Sequence, residues 1–249
     1  MAVKDNGRPG PKTPITFKIF RYKPGFIDPP RLDTFQVDVD KRMTILDALE
    51  DIRTAQDATL MYRHSCHHGS CGTCAMKVNG REILSCVTNV LELGTAEVTV
   101  EPLSVLPLVC DLVVDMTYFA DHFAPMGMNL IRKSEFMPEA VRPEGIAEYT
   151  RYEQCLECAA CVSACPIVNT DPTWTGPAAL GAASRAWVKG DSPAKQICEL
   201  VDHEHGAWRC HEIMECSSVC PNDVDPGGLI MSLRRRMVGY KLRRLFGRE

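Results

Sequence analysis

Cys66-His67-His68-Gly69-Ser70-Cys71-Gly72-Thr73-Cys74 sets three cysteines at the spacing C-x4-C-x2-C, and Cys86 follows at a distance. This is the plant-type ligand arrangement for a 2Fe-2S cluster. A tight loop lets three thiolates converge on one side, with Gly69 and Gly72 removing side-chain bulk where backbone amides approach sulfur. The fourth ligand returns from a strand. Zinc sites and buried apolar cysteines use other spacings. A Rieske centre could take half its ligands from Cys66-x-His68, but needs histidine where Cys74 stands. His67 and His68 read as solvated loop residues.

Around that loop the pattern is that of a small mixed sheet with one helix. Ile15 to Tyr22 and Phe35 to Val39 alternate apolar with polar residues, with Pro29-Pro30 as the turn region between them. Thr44 can cap a helix that carries Ile45, Leu46, Leu49 and Ile52 on one face. Asn79-Gly80 is a hairpin turn flanked by Met76, Val78, Ile83 and Leu84, and another strand runs from Val98 to Val100. Residues 1–14 read as a loose tail and 15–110 as the first domain.

Beyond Asp111 the strand signal gives way to helical stretches, Asp111 to Phe123, Pro177 to Trp187 and Leu229 to Leu245. Met126 to Gly145 reads as an irregular surface connection. The fold class is therefore α+β, a ferredoxin domain followed by an all-α domain over 111–249.

Within that second domain, Cys155, Cys158, Cys161 and Cys165-Pro166 reproduce the bacterial ferredoxin run C-x2-C-x2-C-x3-C-P, whose fourth cysteine serves the other cluster of a pair. The second run is Cys210, Cys216 and Cys220-Pro221, with Ile213 where its second ligand is expected. Crossing the fourth cysteines assigns Cys155, Cys158, Cys161 and Cys220 to a 4Fe-4S cluster. Cys165, Cys210 and Cys216 remain, and three thiolates facing an aliphatic corner fit a 3Fe-4S cluster better than a four-iron cluster completed by water or another ligand. Cys110 and Cys198 stand outside every motif and read as small buried residues.

The 13 cysteines are too many for a chain with an adequate core to need as disulfides, so metal binding and a reducing compartment follow. The first residues lack the apolar stretch of a secretory signal, and no segment is apolar for long enough to span a membrane. A net charge of -4 gives no reason to invoke nucleic acid. Neither G-x-G-x-x-G nor a Walker loop is present, so FAD or nucleotide binding by this chain has no support, and no catalytic residue is assigned. Arg234, Arg235, Arg236, Lys241, Arg243, Arg244 and Arg248 crowd the last helix, as neighbours of anionic lipid or as a solvated basic helix end.

These motifs in this order resemble the iron-sulfur subunit of succinate dehydrogenase and fumarate reductase. Ser65-Cys66, Cys71-Gly72-Thr73-Cys74, Asn79-Gly80, Asp111-Leu112-Val113-Val114-Asp115-Met116, Gly176-Pro177-Ala178 and Cys210-His211 carry the likeness over nearly the whole chain. The resemblance implies a β-grasp ferredoxin domain beside a flavoprotein subunit holding FAD. It implies a helical domain on a membrane anchor that binds quinone and, in some members, haem b. Succinate oxidation or fumarate reduction would occur on the flavoprotein, with this chain peripheral on the cytoplasmic face of a bacterial inner membrane. Pro166, His211 and Ile213 match the family's quinone-pocket positions. Asn169 and Thr170 stand where many ubiquinone-reducing members carry tryptophan, which weakens ubiquinone and admits menaquinone. The other class kept in view is an electron-transfer subunit of a different dehydrogenase complex.

Overall fold

The computed structural model describes residues 12–126, 151–189 and 194–247, and the chain divides into two units: Met1–Leu103 with Leu108–Val114, and Ser104–Pro107 with Asp115–Glu249. The first unit holds a mixed five-stranded sheet of β1 (Thr13–Lys23), β2 (Ile27–Val39), β3 (Ala75–Val78), β4 (Arg81–Leu84) and β5 (Glu97–Glu101), in the order β2-β1-β5-β3-β4. β1 runs parallel to β5, and the other pairs are antiparallel.

Helix α1 (Ile45–Ala55) starts at Thr44, whose side chain and that of Asp47 form a capping box. It buries Ile45, Leu46, Ala48, Leu49 and Ile52, the face expected from their spacing. A single helix held by a mixed sheet is the β-grasp arrangement. Asn79 and Gly80, at φ 49° and 80°, make the two-residue turn between β3 and β4.

Several local expectations change. The β1–β2 turn lies at Pro24, Gly25 and Phe26, while Pro29 and Pro30 fall inside β2. β2 is an edge strand, and the pairing shifts from Arg21↔Arg31 to Lys23↔Ile27, so the prolines lie in the irregular stretch where no ladder donor is needed. Strand residues begin at Thr13, inside the expected tail.

The stretch from Asp111 does not begin a helix. It forms part of a two-stranded piece, β6 (Leu108–Cys110) and β7 (Val113–Val114), which belongs to the first unit. Asp111 is fully buried, where it accepts bonds from Arg21 Nε (3.1 Å), Tyr22 N (3.0 Å) and Met61 N (2.9 Å). These bonds hold residues 108–114 on the sheet side of the expected 110/111 boundary.

The second unit contains α2 (Thr117–Phe123), α3 (Ala160–Ser163), α4 (Pro166–Thr170), α5 (Pro177–Lys189), α6 (Ala194–Val201), α7 (Glu215–Ser218) and α8 (Pro226–Leu245). α5 and α8 pack together, and Leu180 and Ala183 on one and Leu229, Ile230 and Leu233 on the other are buried. α8 starts earlier than its apolar spacing suggested, because Asp225 accepts from Gly228 N at 3.1 Å and Pro226 fills the first turn. Residues 127–145 of the expected surface connection lie outside the described residues; Met126 closes a short 3-10 turn. Among the described residues no helix is long and apolar enough to cross a membrane.

Candidate iron-sulfur centres

The β3–β4 hairpin explains how a distant cysteine joins the first loop. Ala75 pairs with Leu84, so the chain returns beside Cys74, and buried Ser85 ties the ends together through its hydroxyl bond to Cys74 O at 3.1 Å. Cys86 follows at once. Its Sγ accepts from Gly69 N at 3.3 Å, and Cys66 Sγ accepts from Ser70 N at 3.3 Å.

Gly69 is required by geometry: it sits at φ 73°, and an added Cβ would lie 3.1 Å from Val87. The amides of His68 and Ser70 draw the Cys66 thiol down to about 6. Burial, then the neighbouring Cys74, push Cys86 up to about 11. A thiolate-accepting loop beside a buried thiol fits a cationic iron pair that holds both as thiolates.

The second unit presents the same loop twice at a constant offset. In Cys155-Leu156-Glu157-Cys158-Ala159, Glu157 and Ala159 have φ 53° and 63°; in Cys210-His211-Glu212-Ile213-Met214, Glu212 and Met214 have φ 60° and 67°. Each loop enters a short helix, α3 or α7, through amide bonds back to the second left-handed residue: Ser163 N to Ala159 O at 3.0 Å, Ser218 N to Met214 O at 3.1 Å. Each helix leads to a Cys-Pro pair.

Cys155, Cys158, Cys161 and Cys220 line one cavity, with Tyr152, Ala178 and Val224 in its walls. Val224 N donates to Cys220 Sγ at 3.3 Å. Burial pushes Cys158 up to about 11 and Cys161 well above the ordinary thiol range, with neighbouring thiolates adding to both. Cys216 is raised to about 12, first by burial and then by Cys165, with Cys210 also contributing; Cys165 is raised by burial and by Cys210. Two groups of mutually repelling, buried and half-buried sulfurs suit iron, whose charge replaces the protons.

Pro166, His211 and Ile213 are all exposed, Ile213 to 49%. Asn169 and Thr170 are exposed on α4 beside Pro166. Cys198 is buried on α6, whereas Cys110 is only half-buried in β6.

Arg234 departs from its reading as one of a set of lipid-facing or solvated cations. Its side chain is 15% exposed and its guanidinium donates to Ala207 O (2.8 Å), Cys210 O and Glu212 (3.1 Å), fastening the loop that carries Cys210. His67 is not simply solvated, since its Nε2 lies 2.9 Å from His64 Nδ1. Gly69 N donates to sulfur where the loop glycines led one to expect an amide, while the Ser70 and Val224 donors escaped the sequence because nearly every residue carries an N–H; the Arg234 tether escaped it because the span from Cys210 to α8 carries no pattern.

Residues 16–121 match a 2Fe-2S iron-sulfur cluster binding domain, and residues 151–224 match a 4Fe-4S dicluster domain. Fold and sites together define an iron-sulfur electron-transfer protein. The chain is 31% identical to the fumarate reductase iron-sulfur subunit of Mycobacterium tuberculosis, over 93% of this chain and 96% of that one. It is 35% identical to the succinate dehydrogenase iron-sulfur subunit of Paracoccus denitrificans, over 89% and 87%. The chain therefore belongs to the family of succinate dehydrogenase and fumarate reductase iron-sulfur subunits. Its fold is similar to that of a chain from the Mycobacterium smegmatis Sdh1 complex, with a TM-score of 0.75 at 21% identity, covering 93% of this chain and 98% of that one.

Proposed function

We propose that this chain is the electron-transfer subunit of a membrane succinate:quinone oxidoreductase, set between a flavoprotein that carries FAD and an anchor that binds quinone. Cys66, Cys71, Cys74 and Cys86 would hold a 2Fe-2S cluster, Cys155, Cys158, Cys161 and Cys220 a 4Fe-4S cluster, and Cys165, Cys210 and Cys216 a 3Fe-4S cluster. When bound, these clusters supply one-electron carriers. The chain's own residues hold the sulfurs, donate amide bonds to several of them and bury Cys74, Cys86, Cys165 and Cys216.

The observation that carries this reading is the repeated left-handed loop in which Ile213 takes the place of Cys158. An aliphatic side chain offers iron no ligand, so that corner favours a three-iron cluster. Exposure of Pro166, His211 and Ile213 beside these cysteines supports a quinone contact, with His211 as a candidate hydrogen-bond or proton partner.

Seating on a membrane anchor is supported by α8, where Val238, Leu242, Leu245 and Phe246 are exposed among Arg235, Arg243 and Arg244. The cytoplasmic face of the membrane is the location proposed, since the thiols need a reducing compartment. Asn169 and Thr170, where many ubiquinone-reducing members carry tryptophan, weaken ubiquinone and admit menaquinone. Purification of the native assembly with subunit identification, followed by succinate oxidation assays with each quinone type, tests the proposal. A flavoprotein, an anchor and succinate-dependent quinone reduction are expected; a soluble particle lacking both partners would overturn it.

A further inference from the structure

We infer that Glu50, His64 and His67 form a binding site for a divalent transition-metal ion of the zinc class, separate from the cysteine ligands and next to the first cluster loop. Two stretches of the first unit meet here: Glu50 on α1, and the approach to the cluster loop, which carries His64 and, directly after Cys66, His67. His64 Nδ1 and His67 Nε2 are 2.9 Å apart, and Glu50 Oε1 lies 3.8 Å from the first and 3.9 Å from the second. One ligand atom from each residue lies within 4.8 Å of the others.

A zinc ion bonds imidazole nitrogen and carboxylate oxygen at about 2.0–2.2 Å, which places tetrahedral ligands about 3.3–3.6 Å apart. The observed separations bracket that value, so rotation of side chains that are already partly exposed is enough to close the shell. Two imidazoles and one carboxylate leave a coordination position for water, the ligand set of an open zinc site.

The surroundings favour a formed site over a chance surface grouping. The Tyr62 ring lies 5.3 Å from the His64 ring, and the His64 and His67 rings meet edge-on at 5.0 Å, which limits how far either imidazole can swing. His67 holds a left-handed backbone at φ 61°, a costly conformation for a non-glycine residue. Without a metal, one imidazole must donate to the other and Glu50 stays beyond hydrogen-bond distance. A dication satisfies all three at once.

Position gives the site a consequence for electron transfer, a part of the inference that rests on Cys66 being a cluster ligand. A dication held one residue from Cys66 adds positive charge near the first cluster and favours its reduced state. Metal occupancy would then raise that cluster's midpoint potential and tune the wire at this end.

The test uses the full-length, cluster-loaded chain, equilibrated with zinc ion in buffered excess, desalted and measured for zinc and iron. Wild type is expected to retain one zinc per chain beyond the cluster iron. Glu50→Ala, on the exposed part of α1, and His64→Ala are each expected to bind zinc at least about tenfold more weakly with iron content unchanged. Visible circular dichroism of the 2Fe-2S chromophore verifies that the variants are folded. Redox titration followed by electron paramagnetic resonance (EPR) should show a more positive potential for the first cluster with zinc than with chelator, in wild type and not in Glu50→Ala. Equal zinc affinity in wild type and both variants, or no zinc retained by wild type, overturns the site; retained zinc with an unmoved potential overturns the coupling.

Discussion

Ile213 stands in its loop where Cys158 stands in the other, each between two residues held at positive φ: Glu157 and Ala159 at 53° and 63°, Glu212 and Met214 at 60° and 67°. Left-handed backbone at a non-glycine residue costs roughly 1 kcal/mol or more. Repetition of that cost in both loops points to a geometry kept for presenting ligands, with one ligand exchanged for a hydrocarbon. The difference between the two sites is therefore local to one side chain rather than to the path of the chain.

The buried ion pair of Arg21 and Asp111 is expected to hold the first unit together. Their side chains are 1% and 0% exposed, and Asp111 also accepts two backbone amides. Removing the carboxylate orphans buried Arg21 Nε and the Tyr22 and Met61 amides while Arg21 keeps its pair with Asp57, so Asp111→Ala should cost about 3 kcal/mol. A clearly lowered melting temperature of the loaded protein is expected; a change of less than about 1 kcal/mol contradicts the role.

Asp57 gives a pH-dependent prediction. The Thr59 hydroxyl, followed by the Arg21 guanidinium, draws its carboxyl down to about 2 from an ordinary 3.8, against the effect of burial. A depressed acid stabilises the fold fully above its unfolded value and loses that contribution as pH falls through its folded value. The shift corresponds to about 2 kcal/mol. Asp57→Asn should therefore lower stability by the same amount at pH 7 and pH 5, both above the window from 3.8 to about 2. Urea midpoints at the two values check this, and a gap that closes between them contradicts it.

Gly181 is a packing requirement of α5. A Cβ there would sit 2.8 Å from a ring carbon of Tyr152, which is buried and fixed by its hydroxyl bond to Ala178 O at 2.9 Å. Alanine normally stabilises a helix interior by about 0.5–1 kcal/mol relative to glycine. Overpacking costs about 1–3 kcal/mol and should win. Gly181→Ala is expected to lower the melting temperature, whereas a rise would show that Tyr152 yields.

Cys198 and Cys216 are both buried cysteines with opposite expectations. Cys198→Ser should leave iron and sulfide content unchanged, since the residue belongs to neither group of sulfurs. Cys216→Ser should lose the cluster shared with Cys165 and Cys210. Iron analysis with EPR of both variants separates them; iron loss from Cys198→Ser would contradict the grouping.

How much of this was legible in the sequence follows from how local each feature is. Cluster loops show because ligand spacing is set by the iron-sulfur geometry, so even the absence at Ile213 can be read. The Thr44 cap of α1 and the Asn79-Gly80 turn show because their chemistry lies within a few residues. Arg21 does not show: it continues the inward phase of Ile15, Phe17 and Ile19, but alternation treats a charge as outward, and its partner Asp111 lies far along the chain. The β6–β7 piece is too short for a period, and the turn at Gly25 was hidden by the more conspicuous Pro29-Pro30. His64 and His67 could be seen as a spaced pair, but only the fold brings Glu50 to them.

The central claim is a three-thiolate site at the Ile213 corner, and the most direct measurement is EPR of the oxidised, cluster-loaded chain with iron counted, in wild type and Ile213→Cys. Wild type is predicted to show the oxidised three-iron signal at about one spin per chain, with about nine irons, and Ile213→Cys to lose that signal while gaining about one iron. Absence of the three-iron signal from the fully loaded wild type, or its persistence with unchanged iron in Ile213→Cys, would contradict the account.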